Sequence, residues 1–545
     1  MRYSFSELQN IVSDMLQEYI GAVPTDLSLD EELYKNREEH RKIISSSIRN
    51  CCSGNLGARE TIKSLIHSFL TEQLATGWEM MRGVIPFDEP QCMTSWQQLE
   101  SMIFYFDKQK ENQGFRLMCE KFDWNRSGCV ITAEKLEQAY VTLKPEMSLE
   151  ERVAILSQLL FAKTVGLGVI DTLNYQQGCI EEIQIGMSGK AERQYDYKED
   201  LRGKMQDETF SRDGVHLMVD GCTIWMKCIS FETEEELQRV LRNLIKESQG
   251  GELTKNHPML VVDAVDGRRI SVSRPPMTDS WVGLIRKFDT VRNVSLEALY
   301  RGYPEEKILV GLLRQIVRSG RNIAITGEMA SGKTTLFRAC LSETKRDRNL
   351  RVIEVDSFEL NVRGFLPNAN TMTMRVSERT PAEEVLAFAR KTTGQIFAIG
   401  EINSAAVAAM AMDLSKIATQ LLFSAHYVTT EHMVADFVNA KLCVGGYSEE
   451  KLAELDVVRC LGFDIHLRTK QGKRYVQCIS EIVPKKQKGG KQEKSYEIKT
   501  IYQYDEESGI GRIVNKPGEI SYDKAKQVLD KEEYLEFCRF FEREI

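Results

Sequence analysis

The chain has 545 residues, with 72 lysines and arginines against 80 aspartates and glutamates and a formal net charge of -8. That length holds about three or four domains, and the acidic balance offers no global basic field to draw the chain onto nucleic acid. At 42% hydrophobic and 28% charged residues, it has the make-up of an ordinary globular protein.

Thirteen cysteines, including the adjacent Cys51 and Cys52, follow neither a disulfide framework nor CxxC metal spacing, which fits reduced thiols in a cytoplasm. The start MRYSFSELQN lacks a basic region followed by an apolar run, so no signal peptide is expected. No apolar run reaches the roughly eighteen residues of a membrane-spanning helix.

Residues 1–148 read as a helical region. TIKSLIHSFLTEQL sets Ile62, Leu65, Ile66, Phe69, Leu70 and Leu74 at helical spacing, an apolar stripe suited to a small bundle. Further on, FDWNRSGCVITAEKL places Asp123, Asn125, Ser127, Gly128 and Glu134 at positions 1, 3, 5, 6 and 12 of an EF-hand calcium loop. The same stretch also reads as a helix-turn-helix connection with a glycine turn and an Asx cap.

Residues 149–292 mix strands and helices as an α+β domain. CIEEIQIGMSG and HLMVDGCTIWMKCISF read as strands, EEELQRVLRNLIKES as a helix stopped by Gly250 and Gly251, and PMLVVDAVDGRRISVSRPP as a hairpin turning at Asp266 and Gly267. Arg268, Arg269, Arg274 and Arg286 make either a solvated face or a set that reaches a phosphate.

Residues 293–484 alternate helix and strand, which predicts an α/β fold with a parallel-rich sheet and a ligand site at the carboxyl ends of its strands. Within it, IAITGEMASGKTTL matches the phosphate-binding pattern G-x-x-x-x-G-K-[ST] between a strand and a helix. Gly327, Ser331, Gly332, Lys333, Thr334 and Thr335 would cradle a phosphate chain on backbone N–H groups and a helix N-terminus, with Lys333 reaching the outer phosphates and the Thr334 hydroxyl on Mg²⁺. The strands RVIEVDS, QIFAIGE and LLFSAH end in polar residues: Glu354, Asp356 and Glu359, then Glu401, then Ser424 and His426. Beside a P-loop, a carboxylate there holds the Mg²⁺ shell or orients the attacking water, and a histidine senses the phosphate.

From residue 460 the chain returns to strands, and residues 485–545 form a C-terminal strand and helix extension. FDIHLRTK and RYVQCISEIVP, joined at Gln471 and Gly472, lead through a basic loop KKQKGGKQEK to YEIKTIYQY, and a final helix YDKAKQVLDKEEYLEFCRFFERE closes the chain.

In this order the motifs resemble the secretion-superfamily ATPases of type II and type IV secretion and pilus machines, most closely the CpaF-like branch of tight-adherence (Flp) pilus systems. The P-loop resembles that family's Walker A, VIEVDSFEL its Asp box, QIFAIGE its Walker B and FSAH its His box, and GLGVIDTL, IEEIQIG and PMLVVDAVDGRRISVSRPP resemble its N-terminal domain. The resemblance covers roughly residues 150–485 and implies a RecA-like motor domain preceded by an α+β N-terminal domain, with the helical bundle read from periodicity ahead of both. It implies a cytoplasmic ATPase at the inner face of the membrane, a homo-oligomer, usually a hexamer, that uses ATP and Mg²⁺ to drive pilus assembly or secretion through an inner-membrane platform; the acidic balance and the lack of aromatic-basic clusters argue against direct nucleic-acid contact. Lys333 and Thr334 would hold phosphate and Mg²⁺, Glu401 would be the Walker B carboxylate, and Glu359, or else Glu354, would polarise the water. His426 would be the His-box residue, with Arg269 and Arg286 candidates to reach the phosphates. The chain departs from the family at Ile402, Asn403 and Ser404, where an arginine and a glycine are expected after Gly-Glu. It departs again at DLSKIATQ, which replaces Thr-Gly-His, and at FARKTTGQ, which keeps only Arg390. Two other readings of the residues are a nucleotide-binding scaffold subunit and a conjugation-type DNA-transfer ATPase.

Overall fold

The structure is a computed structural model that describes residues 3–21, 31–52, 54–74, 84–126, 128–187, 214–246, 253–288, 295–345, 347–445, 447–470, 473–485 and 494–543. Ser127, Gly250, Gly251, the Gln471–Gly472 turn and most of the KKQKGGKQEK loop lie outside those residues. The chain divides into two compact units, Met1–Thr290 and Val291–Ile545.

In the first unit, helices such as Leu56–Leu74, Ser95–Asp107 and Leu149–Thr164 share one core with a seven-stranded sheet. Ile62, Ile66 and Leu70 are fully buried in it, while Leu65 and Phe69 pack at its margin. The strands are β1 (Cys129–Val130), β2 (Ile180–Ile185), β3 (Val215–Val219), β4 (Cys222–Trp225), β5 (Met259–Asp263), β6 (Arg269–Ser273) and β7 (Val282–Arg286), in the order β1-β4-β3-β2-β7-β6-β5. HLMVDGCTIW is therefore two strands and not one. Asp220 and Gly221 both take positive φ (47° and 79°), the two-residue hairpin geometry that an Asp-Gly pair favours. The hairpin of β5 and β6 turns through Gly267, as its sequence predicts.

A nine-stranded sheet organises the second unit: β8 (Ile323–Gly327), β9 (Leu350–Val355), β10 (Thr371–Val376), β11 (Ile396–Ile402), β12 (Gln420–Ala425), β13 (Phe463–Lys470), β14 (Lys473–Pro484), β15 (Tyr496–Asp505) and β16 (Ile510–Ile513). Their order is β10-β9-β11-β12-β8-β13-β14-β15-β16, parallel from β10 through β13 and antiparallel beyond. Alternate residues feed opposite faces: Ile323, Ile325, Ile396, Ala398 and Leu422 enter one core, and Ala324, Phe397, Ile399, Leu421 and Phe423 the other. A parallel sheet covered on both faces needs such continuously apolar strands. The α/β class and parallel-rich sheet expected from the alternating pattern are what the structure has.

Three features depart from the sequence reading. Strand β10, TMTMRV, pairs along β9 although its solvent-side residues hide the apolar period. The residues after 485 continue the same sheet through β15 and β16. The final helix is two, Glu519–Val528 and Lys531–Arg543, because Asp530 accepts from the Glu533 amide (2.9 Å) while the Glu533 carboxylate accepts from the Asp530 amide (3.0 Å), a reciprocal cap that starts a helix rather than continuing one.

Candidate active site

The parallel run puts the carboxyl ends of β8, β11, β12 and β13 on one edge of the sheet, where an α/β fold binds its ligands. Ile402 faces Ala425, Ala425 faces Thr326 and Thr326 faces His466, one row across four strands. The phosphate loop leaves from the third of these.

Gly327 has φ 141° and Gly332 φ 91°, backbone that L side chains rarely adopt. A Cβ on Gly327 would run into the Leu467 carbonyl, whereas one on Gly332 would meet only the Arg474 Cδ at 3.4 Å. The Ser331 hydroxyl donates to the Glu328 carbonyl (2.8 Å), bracing the loop. Gly332 then caps the helix Lys333–Glu343, with Thr334 exposed and Thr335 half-buried in its first turn.

Lys333 is buried, and its ammonium donates to the carbonyls of Gly327 (3.0 Å) and Glu328 (2.6 Å) and to His426 Nδ1 (3.1 Å). An ammonium only donates, so Nδ1 accepts and the imidazole proton sits on Nε2. That nitrogen lies 3.0 Å from the Glu401 carboxylate and donates to it. Lys333, His426 and Glu401 thus form one hydrogen-bonded chain at the ends of β8, β12 and β11. Glu401 is aimed there by a bulge, since Ile399 pairs Phe423 while Ile402 pairs Ala425, and a bulge re-aims the residue it carries. Ser424 donates to the Gly400 carbonyl (2.5 Å) and holds the bulge in place.

Glu354 and Glu359 separate. Glu354 is buried, and one of its oxygens accepts from the amides of Glu359 (2.5 Å) and Leu360 (2.8 Å). Glu359 is half-buried on the loop that Glu354 holds, and Asp356 is exposed with φ 62°.

Sequence reading missed a second polar cluster. Asp464 and His466, on one face of β13, are buried beneath the phosphate loop. Asp464 accepts from the hydroxyls of Thr326 (2.6 Å) and Thr430 (2.6 Å), and Thr326 Oγ1 lies 2.9 Å from His466 Nδ1. Burial raises the Asp464 carboxyl and lowers the His466 imidazole, each partly offset by the other's charge. The signal was the alternation in FDIHL, which buries two polar residues where a strand buried on both faces takes apolar ones.

Arg269 and Arg286 lie in the first unit as cross-strand neighbours on β6 and β7. Arg269 Nε is 3.8 Å from Asp263 and Arg286 Nε 3.4 Å from Glu182. Arg268 pairs with Asp266 at 2.7 Å, and Arg274 lies over the Trp281 ring, 4.7 Å from its centroid.

The EF-hand-like stretch has a helix on each side, Gly114–Phe122 and Ala133–Leu143. Asp123 ends the first in a left-handed conformation with its carboxylate on Arg126, and Asn125 donates to Asp220 (3.1 Å). Cys129–Val130 joins the sheet beside β4, Thr132 caps the second helix, and Glu134 is exposed in its first turn, its carboxyl lowered by hydrogen bonding. Among the described residues no group of three or more histidines, cysteines, aspartates or glutamates is placed to hold a metal ion, and no helix is long and apolar enough to cross a membrane.

No protein-family model matches the chain. An uncharacterised protein of Bacillus anthracis is 22% identical over 350 residues, covering 61% of this chain and 71% of that protein. Among solved structures, the chain is similar to the VirB11 ATPase of the Brucella suis type IV secretion system, in complex with sulphate, at 17% identity over 55% of this chain and 88% of that one, with a TM-score of 0.28. It is similar to the ATPase DotB of Legionella pneumophila at 12% identity over 67% and 84%, with a TM-score of 0.37. The pilus retraction motor PilT with bound ADP is 13% identical over 67% and 88%, with a TM-score of 0.35.

Proposed function

We propose that the chain is an ATP-hydrolysing motor of the secretion and pilus type, with its hydrolysis site at the carboxyl edge of β8, β11 and β12. The observation that carries this reading is the chain from Lys333 through His426 to Glu401, set on a P-loop of the required spacing. The choice of ATP and of mechanical work, and the CpaF-like branch, a hexamer and an inner-membrane platform as partner, rest on the order of the motifs in the sequence.

The donor set fits a nucleotide triphosphate: an ammonium, a first-turn hydroxyl at Thr334, two glycines of positive φ and a half-exposed carboxylate at Glu401. Thr334 and Glu401 are the residues that would hold Mg²⁺, which when bound neutralises charge on the outer phosphates. Lys333 binds phosphate by exchanging a loop carbonyl for it, gaining a charge-assisted bond for a neutral one. Glu354 fixes the amides of Glu359 and Leu360, so the Glu359 carboxylate is presented to take the proton of the attacking water. His426, bridging Lys333 and Glu401, registers the movement of either.

The test is steady-state ATPase activity of the purified protein, Lys333→Ala and Glu401→Gln, with and without single-stranded DNA. Turnover abolished by both substitutions and indifferent to DNA is expected. Turnover stimulated by DNA would favour the DNA-transfer reading, and wild type no faster than Lys333→Ala would favour a nucleotide-binding scaffold.

A further inference from the structure

We propose that Asp464 is a positioning residue that ties the phosphate loop to the His426 segment through the hydroxyls of Thr326 and Thr430. The inference rests on the ATPase reading for its effect on turnover. Its geometry stands apart from that reading.

Thr326 is the last residue before Gly327, and Thr430 opens the helix Thr430–Cys443, four residues after His426. One oxygen of Asp464 takes the first hydroxyl and the other takes the second, both at 2.6 Å. A single fully buried carboxylate therefore spans the exit of β8 and the connection that follows β12. With Asp464 ionised, the one proton of Thr326 goes to it, and the Thr326 oxygen accepts from His466 Nδ1–H at 2.9 Å.

A strand that only had to pack would carry valine or isoleucine here, because a buried carboxylate costs free energy that apolar residues of similar size do not. The cost is offset by two charge-assisted bonds, and both fall on segments that carry site residues. The distances that depend on them are those of His426 to Lys333 (3.1 Å) and to Glu401 (3.0 Å). The backbone cradle of the P-loop does not depend on Thr430. Slack in the tie should then reach the chemical step and spare nucleotide binding.

Thr430→Val keeps the shape and removes the hydroxyl, and Thr430→Ser restores it. For each, kcat, the Kd for a fluorescent ATP analogue, and hydrogen–deuterium exchange of nucleotide-free protein over residues 426–433 would be measured. Thr430→Val is expected to lower kcat by about tenfold or more, the scale of a small misplacement at a reacting centre, to hold Kd within about threefold, and to speed exchange over 426–433. Thr430→Ser is expected to behave as wild type in all three. A Thr430→Val protein that turns over and exchanges like wild type overturns the tie, and so does a Thr430→Ser protein as impaired as the valine variant. Wild type with no turnover above Lys333→Ala overturns the ATPase reading instead, and the exchange comparison then decides the tie alone.

Discussion

Exchanging Glu354 and Glu359 for glutamine, one at a time, separates a carboxylate that holds a loop from one that handles a proton. Both amide bonds to Glu354 land on a single oxygen, so a glutamine carbonyl can keep both while losing their charge-assisted part. A bond to a charged group contributes about 1.5–3 kcal/mol against about 1 for a neutral one, which for the two bonds puts the expected cost of Glu354→Gln at about 1–4 kcal/mol. For a unit of this size that lowers the melting temperature by roughly 2–16 °C. Glu354→Ala leaves the buried Leu360 amide and the part-buried Glu359 amide without their acceptor, at about 3 kcal/mol or more. Glu359 is half-buried on the surface of the loop, so Glu359→Gln should leave the melt in place and reduce kcat by about 10²-fold or more, the scale of a lost general base. Scanning calorimetry and steady-state turnover on the same preparations decide it. A Glu354→Gln protein that melts with wild type but has lost turnover, beside a Glu359→Gln protein that retains it, would refute the division of roles.

Burial pushes the Glu100 carboxyl of the first unit up to about 7, against bonds from Thr172 and Trp96 that lower it. The folded chain keeps a proton there that the unfolded chain releases above its ordinary value of 4.5, so the first unit loses stability as pH rises from about 4.5 to about 7. Glu100→Gln should remove that loss, stabilising the unit by up to about 3 kcal/mol at pH 8 and little at pH 4; urea melts of the two proteins at both pH values measure the difference and cancel the other titrating groups. At the phosphate loop, Gly327→Ala should lower both the melting temperature and nucleotide affinity more than Gly332→Ala, because its Cβ meets a backbone carbonyl while the other meets the end of a flexible arginine. Equal effects in a thermal melt and a fluorescent-nucleotide titration would count against that geometry.

What the sequence made legible was local or periodic. The P-loop is a fixed spacing, β8 and β12 are mostly apolar and buried at every position because both their faces are covered, and the turn at Gly267 is set by neighbouring residues. What it hid depends on how the chain returns on itself, nearby or far along the sequence. The Glu354 side chain looks like any strand-end carboxylate until the loop returns its amides to it five and six residues later. Asp123 and Asn125 fit a calcium loop by spacing, yet Asn125 donates to Asp220 from a hairpin some ninety-five residues on. Strand β10 is legible only once β9 lies beside it. The break before Lys531 has a local signal, since Asp530 and Glu533 stand at capping-box spacing.

The same distinction explains why the strongest site residues lie where they do. On the strand order alone, Glu401 is separated from the P-loop strand by all of β12, a distance of about 10 Å for two sheet spacings. The structure closes that gap with an imidazole rather than a longer acid: His426, from the strand between, reaches Lys333 with one nitrogen and Glu401 with the other. A histidine is the side chain that can accept on one side and donate on the other in its neutral form. The intervening strand therefore does not insulate the lysine from the glutamate. It supplies the group that joins them, and the orientation of that group is what Ser424 on one side and Thr430 on the other are placed to hold.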